Sequence, residues 1–186
     1  MSTQRSRREA VLDAAIEVLG SGGSRALTHR AVDRLAGVAE GTTSNYFRTR
    51  QALVAGVLAR IARRESAPST SPAAVPTDAE QLVAVIAERL RFLLGPGRTL
   101  TLARHALFLE AALDPRLRPD LLAESAPWWE LGETFLRGLG VPDPRTRSRL
   151  LFAYLDGLLA DQLARPSADF DPAVAVRTVM RGLLTP

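Results

Sequence analysis

The chain of 186 residues contains no cysteine and no lysine, only two histidines and two methionines, and few aromatic residues (5%). Each absence removes a class of chemistry. Without cysteine there is no disulfide, no iron–sulfur cluster, no thiol nucleophile and no cysteine-ligated zinc. Without lysine there is no Schiff base and no glycine-rich phosphate loop ending in lysine. His29 and His105 alone do not make a histidine-rich metal site, so no metal, no other cofactor and no catalytic residue is expected. No apolar run approaches a membrane span, and the N-terminus has no apolar stretch resembling a signal peptide, so a cytoplasmic location is expected.

What is present is a chain 46% hydrophobic, enough to bury a proper core, with a net charge of +4. All 24 cationic side chains are arginine, and their placement is uneven. Residues 1–66 hold 11 arginines against 6 acidic residues, net +5, whereas the remaining 120 hold 13 against 14, net −1. An excess of positive charge confined to one segment is what attraction to phosphate requires.

That segment contains the stretch around which the chain is organised, residues 28–53, THRAVDRLAGVAEGTTSNYFRTRQAL. Thr28 is a good N-cap, Ala31, Val32, Leu35 and Ala36 recur at helical spacing, and Gly37 sits where a helix stops and turns. A second short helix restarts at Glu40 and holds the polar run Gly41, Thr42, Thr43, Ser44 and Asn45, closed by Tyr46 and Phe47. Helices this short do not stand alone, because nucleation costs more than their few hydrogen bonds return. Two short helices about a glycine turn, the second with a small, hydroxyl-rich face, form the helix-turn-helix pattern, and such a face suits the edges of bases in the DNA major groove. Taken alone, the polar run reads better as a solvated helix face than as a reading face.

Its neighbours decide between the two. AGVAEGTTSNYFRTRQALV resembles the DNA-binding signature of the TetR family of bacterial transcriptional repressors, with Gly37, Val38, Gly41, Thr42, Tyr46, Phe47, Arg50 and Leu53 in the expected places. Two positions depart from it: Ala39 stands where the family usually has a capping serine or threonine, and the acidic Glu40 where a basic or small residue is common. The resemblance implies DNA contacts from Arg7, Arg8, Thr28, His29, Glu40, Gly41, Thr42, Thr43, Asn45, Tyr46 and Arg50, the last on a phosphate. Arg7 and Arg8 belong to a basic arm, residues 2–8, which is either a disordered tail or orders on the duplex.

The arm leads into a helix with Val11, Leu12, Ala15, Ile16 and Leu19 on one face, ended by Gly20, Gly22 and Gly23. After the motif, residues 49–65 form a connecting helix, and the Pro-, Ser- and Ala-rich stretch 66–76 reads as a loop. This places a DNA-binding domain at 1–48 and a second helical domain at 77–186, an all-α chain of about nine helices. In the second domain Thr77 with Glu80 reads as a capping box, residues 99–113 are apolar on nearly every side and so expected to be central, and Pro127 is expected to kink or split the helix over 119–139. Asp143-Pro144 and Asp171-Pro172 start the last two helices.

Those two helices have wide apolar faces, which fit either an internal core or a homodimer interface. The dimer is favoured here, carried by Leu151, Leu155, Gly157, Leu158, Gln162, Val176, Val179, Met180 and Leu183, as TetR relatives use their last two helices. RHALFLEAALDPRLRP and YLDGLLADQLARP also resemble a C-terminal subgroup of that family. Phe92, Arg104, His105, Phe108, Trp128, Trp129 and Tyr154 are the candidates for a small-molecule site, with Glu110, Asp156 or an acidic ligand as partner to Arg104. The resemblance implies a repressor that binds a palindromic operator as a homodimer, associates with the nucleoid when bound, and is released by a small, mostly apolar effector. The alternative is a ligand-independent DNA-binding or adaptor protein whose second domain only dimerises or docks a protein partner. An enzyme fits poorly, given the chemistry that is missing.

Overall fold

A computed structural model describes residues 2–66 and 76–184, so most of the expected loop at 66–76 lies outside the described residues. Among the described residues every regular element is helical: α1 (Ser2–Ala26), α2 (His29–Ala36), α3 (Thr42–Tyr46), α4 (Arg50–Ser66), α5 (Ala79–Leu94), α6 (Arg98–Leu113), a 3-10 turn (Pro115–Leu117), α7 (Arg118–Gly138), α8 (Pro144–Ala164) and α9 (Pro172–Leu184). They form two compact units. The first comprises α1–α4, α6 and α7 as far as Glu124; the second comprises α5, α7 from Ser125, α8 and α9. The grouping departs from the single boundary expected at 66–76, because α6 packs with the helix-turn-helix module.

In the first unit Leu12, Ile16 and Leu19 of α1 are fully buried, each such side chain contributing roughly 1.5–3 kcal/mol. Helix α1 departs from expectation at both ends. It is helical from Ser2, so Arg7 and Arg8 stand exposed on a helix and not in a tail. It also continues past Gly20 and Gly22 and breaks only at Gly23 (φ 68°, ψ −173°). Gly20 is required for packing: a Cβ there would lie 2.4 Å from both the carbonyl oxygen and Cγ2 of Thr99 on α6. Helix α6 in turn buries Leu100, Ala103, Leu107 and Ala111 along one face, while Leu109 and Leu113 are exposed, so it is less enclosed than its composition implied. Arg60 of α4 holds Asp13 of α1 through two hydrogen bonds of 2.9 and 2.7 Å.

In the second unit α5 is capped one residue later than expected. Asp78 accepts from the Gln81 amide at 2.8 Å, and Thr77 turns its hydroxyl to the Gln81 side chain. Glu80 is thereby released to pair with Arg177 of α9, which holds its carboxyl below the ordinary range. Helix α7 runs unbroken through Pro127. The carbonyl that the proline leaves without its usual donor belongs to Ala123, which is exposed and open to water. The core of this unit gathers Leu82, Leu90, Leu136, Leu159, Val176 and Met180 from all four helices.

Candidate nucleic-acid interface

The helix-turn-helix forms as its sequence dictates at the first helix. Thr28 accepts a hydrogen bond from the Ala31 amide at 3.1 Å, and Gly37 closes α2 in the left-handed conformation (φ 65°). The buried face is rotated from the one expected. Val32 and Asp33 are buried, whereas Leu35 is 55% exposed.

The second helix starts later than expected, at Thr42, with Gly41 at φ 91° as its N-cap and no side chain of its own to cap it. Asp33 supplies the missing acceptor from α2. One carboxylate oxygen takes the Gly41 amide at 2.8 Å, and the other takes the Thr43 amide at 2.7 Å together with the Thr43 hydroxyl. Burial pushes the Asp33 carboxyl up, but the bonds from Thr43 and Gly41, with His29 nearby, outweigh it and hold the group below the ordinary carboxylate range. It is therefore an ionised acceptor at neutral pH. The sequence reading missed Asp33 because it lies off the apolar arc of α2; the missing cap at Ala39 was the signal that another acceptor was needed.

These bonds sort the expected DNA contacts. Thr43 is fully buried and its amide and hydroxyl are both given to Asp33, so its side chain leaves the reading face. Gly41 likewise commits its amide. Thr42 donates its hydroxyl to the Ala39 carbonyl at 2.6 Å and is half-buried. Asn45 is exposed, as is Ser44, which had not been singled out. Tyr46 is half-buried against the core, and Phe47 is 4% exposed with the Arg8 guanidinium 4.9 Å from its ring centre. His29 donates Nε2 to the Phe47 carbonyl at 2.7 Å, tying the start of α2 to the end of α3. Glu40 pairs with Arg30 at 2.7 Å on the surface, which offsets a negative charge next to the reading face.

Arg50, expected on a phosphate, has partners inside its own unit. Its guanidinium makes two bonds to Glu110 of α6 (3.0 and 2.9 Å), one to the Leu27 carbonyl (2.6 Å) and two to Ser24 (both 2.9 Å). Arg104 finds its carboxylate in Glu65 of α4 at 3.6 Å, a residue absent from the partners considered for it. Helix α6 thus holds α4 near both its ends.

The remaining candidates for a small-molecule site lie in both units. In the first, His105 bonds the Thr101 carbonyl at 2.9 Å and its ring lies 5.8 Å from that of Phe108, whose ring also faces the Arg104 guanidinium. In the second, Trp129 lies beneath Arg149 (4.4 Å), Trp128 is half-buried, Phe92 is 37% exposed, and Tyr154 donates its hydroxyl to the Ala175 carbonyl at 3.3 Å.

The residues expected at a dimer interface divide by face. Leu151, Val176, Met180 and Leu183 are buried in the core of their own unit, with Leu155, Leu158 and Val179 packed against it and Gln162 half-buried. An amphipathic face satisfies the nearest apolar surface, here α5. Gly157 points the other way, on an arc with exposed Leu150, Ala153 and Ala160.

Residues 77–186 match the family model described as Tetracyclin repressor-like, C-terminal domain, and residues 11–57 match Bacterial regulatory proteins, tetR family. The multidrug-binding protein EbrR in complex with proflavin is 31% identical, with 94% of this chain and 98% of that one covered at a TM-score of 0.64. In its ethidium complex the figures are 30%, 97%, 99% and 0.70. A TetR-family member from Streptomyces coelicolor A3 is 29% identical over 97% of this chain and 99% of its own, with a TM-score of 0.71. No curated protein compared with the chain matches it. The two family models between them span most of the sequence, and the chain belongs to the TetR family of bacterial transcriptional regulators.

Proposed function

We propose that the protein is a repressor that binds a palindromic operator as a homodimer and is released by a small, mostly apolar effector. The observation that carries the reading is α3 itself: Ser44 and Asn45 are exposed on a helix whose backbone is fixed from behind, with exposed Arg7, Arg8 and Arg48 available to phosphates. Selection of genomic fragments by the purified full-length protein tests it. The expected result is a palindromic motif with half-sites about one or two helical turns apart. A folded protein that enriches no motif at low salt would favour the adaptor reading.

Arg50 is assigned to scaffolding. Arg50→Ala is expected to weaken operator binding while leaving the slope of log K against log salt unchanged, since no ion-releasing phosphate contact is lost; Glu110→Gln should do the same. A slope reduced by about 0.9 would return Arg50 to a phosphate.

The dimer surface is assigned to the outward faces of α8 and α9, with Leu150, Ala153, Gly157 and Ala160 on the first and Val174, Thr178 and Gly182 on the second, all exposed. For the effector, the aromatic dyes held by EbrR, proflavin and ethidium, are the first probes. An effector that displaces α6 would pull on α4 through Glu110 and Arg104, and by linkage would lose affinity in the presence of operator by the factor it imposes.

A further inference from the structure

The recognition helix has five residues, too few to hold its own geometry, and its N-terminus carries no cap from its own segment. Ala39 stands where a hydroxyl would serve, and Gly41 at φ 91° brings the chain round without fixing the direction in which the helix leaves. What fixes it is a carboxylate on the preceding helix. Asp33 is 3% exposed, accepts from two backbone amides at 2.8 and 2.7 Å, and takes the hydroxyl of Thr43, itself wholly buried. Charge-assisted bonds of this kind are about twice as strong as neutral ones, and bonds at both oxygens define an orientation as well as a distance.

We infer that Asp33 is the positioning residue for operator recognition: its carboxylate, with Thr43 as relay, sets the angle and register of α3 on α2 and so places Ser44 and Asn45 at the bases. The inference rests on the operator-binding reading above. It has a corollary. The Gly41 and Thr43 amides point at a carboxylate, so these groups do not hold a DNA phosphate, and backbone attraction falls to the arginines. Asp33 touches no base; it acts through α3.

The test compares operator and random-sequence duplexes. Asp33→Asn keeps the shape but loses the charge and one acceptor, and operator affinity is expected to fall roughly 10- to 100-fold. Affinity for random DNA at low salt should change less than about twofold, because the arginines are untouched. Adding Ala39→Ser to that variant supplies a hydroxyl at the position where the family usually has its capping residue and should restore part of the loss. Thr43→Val, which keeps the volume and removes one donor, should lose a smaller factor. Equal losses on operator and random DNA, or a folded Asp33→Asn with operator affinity within twofold of the parent, would overturn the inference. Should Asp33→Asn not fold, Thr43→Val and amide exchange decide. Slow exchange of the Gly41 and Thr43 amides in the free protein is expected, and solvent-rate exchange would overturn the cap. The exchange measurement needs no DNA, so a wild-type protein that selects no palindrome would sink the regulator reading while the cap is tested separately.

Discussion

If the outward face of α8 is the dimer surface proposed above, Gly157→Arg is expected to give a folded monomer whose affinity for the full operator is lower by about 100- to 10,000-fold, with affinity for a single half-site unchanged. The size of the effect comes from linkage of two readers: once one α3 is seated, the second binds at the high effective concentration set by the dimer, and that factor disappears when the copies separate. The position follows from the two faces of α8. Leu151 and Leu159 are buried against their own unit, whereas Leu150 is 57% exposed and Ala153, Gly157 and Ala160 lie open on the opposite side. A Cβ added at Gly157 meets nothing within 4 Å in its own chain and the position is exposed, so the substitution is expected to leave the fold intact. Small residues let helix backbones of two copies approach closely, and a guanidinium there both wedges them apart and buries a charge without a partner. Met180→Asp is the contrast. Met180 is 2% exposed in the internal core, and a charge there should unfold the second unit. Sedimentation of Gly157→Arg checks the prediction, and an intact dimer would move the interface off this face.

Much of this was legible in the sequence, and what was not has physical causes. The caps of α2 and α8, the all-helical class and the motif itself follow from local chemistry, in which the deciding atoms lie within four residues of one another: Thr28 with Ala31, and Asp143 with Thr146. The contacts that were not legible are of another kind. Asp33 caps a helix that begins nine residues further on, Glu110 reaches Arg50 across 60 positions, and Glu65 pairs with Arg104. No periodicity reports such pairs. The apolar positions of α8 and α9 were expected at a homodimer interface, but a helical wheel does not say what buries a face, and the nearer partner, α5 in the same chain, takes Leu151, Val176 and Met180. The same limit made α6 read as central. It has one buried face because α1 lies against it, and at Thr99 that approach is closer than any side chain at position 20 would allow.

That contact has a large expected effect on the stability of the first unit. Replacing a helical glycine by alanine ordinarily gains about 0.5–1 kcal/mol. At Gly20 the added carbon would lie 2.4 Å from the Thr99 carbonyl oxygen, a backbone atom that cannot rotate away, so α1 and α6 must move apart. Overpacking of this kind costs about 1–3 kcal/mol, and the β-branch of valine adds contacts on the same side. Gly20→Ala is therefore expected to be destabilising by about 1–2 kcal/mol despite its helix propensity, and Gly20→Val by more than about 3 kcal/mol. In a chain of this size each kcal/mol lowers the melting temperature by roughly 2–4 °C. Gly138→Ala is the control: it adds the same atom to a helix where nothing lies within 4 Å, and should be neutral or slightly stabilising. The consequence extends to function, since α6 carries Glu110 and Arg104, the groups that hold both ends of α4. A Gly20→Ala protein that is still folded should therefore bind operator more weakly than its stability alone explains. Thermal unfolding and operator titration of the two alanine variants check this, and a Gly20→Val protein that melts with the parent would mean that α1 and α6 do not meet at Thr99.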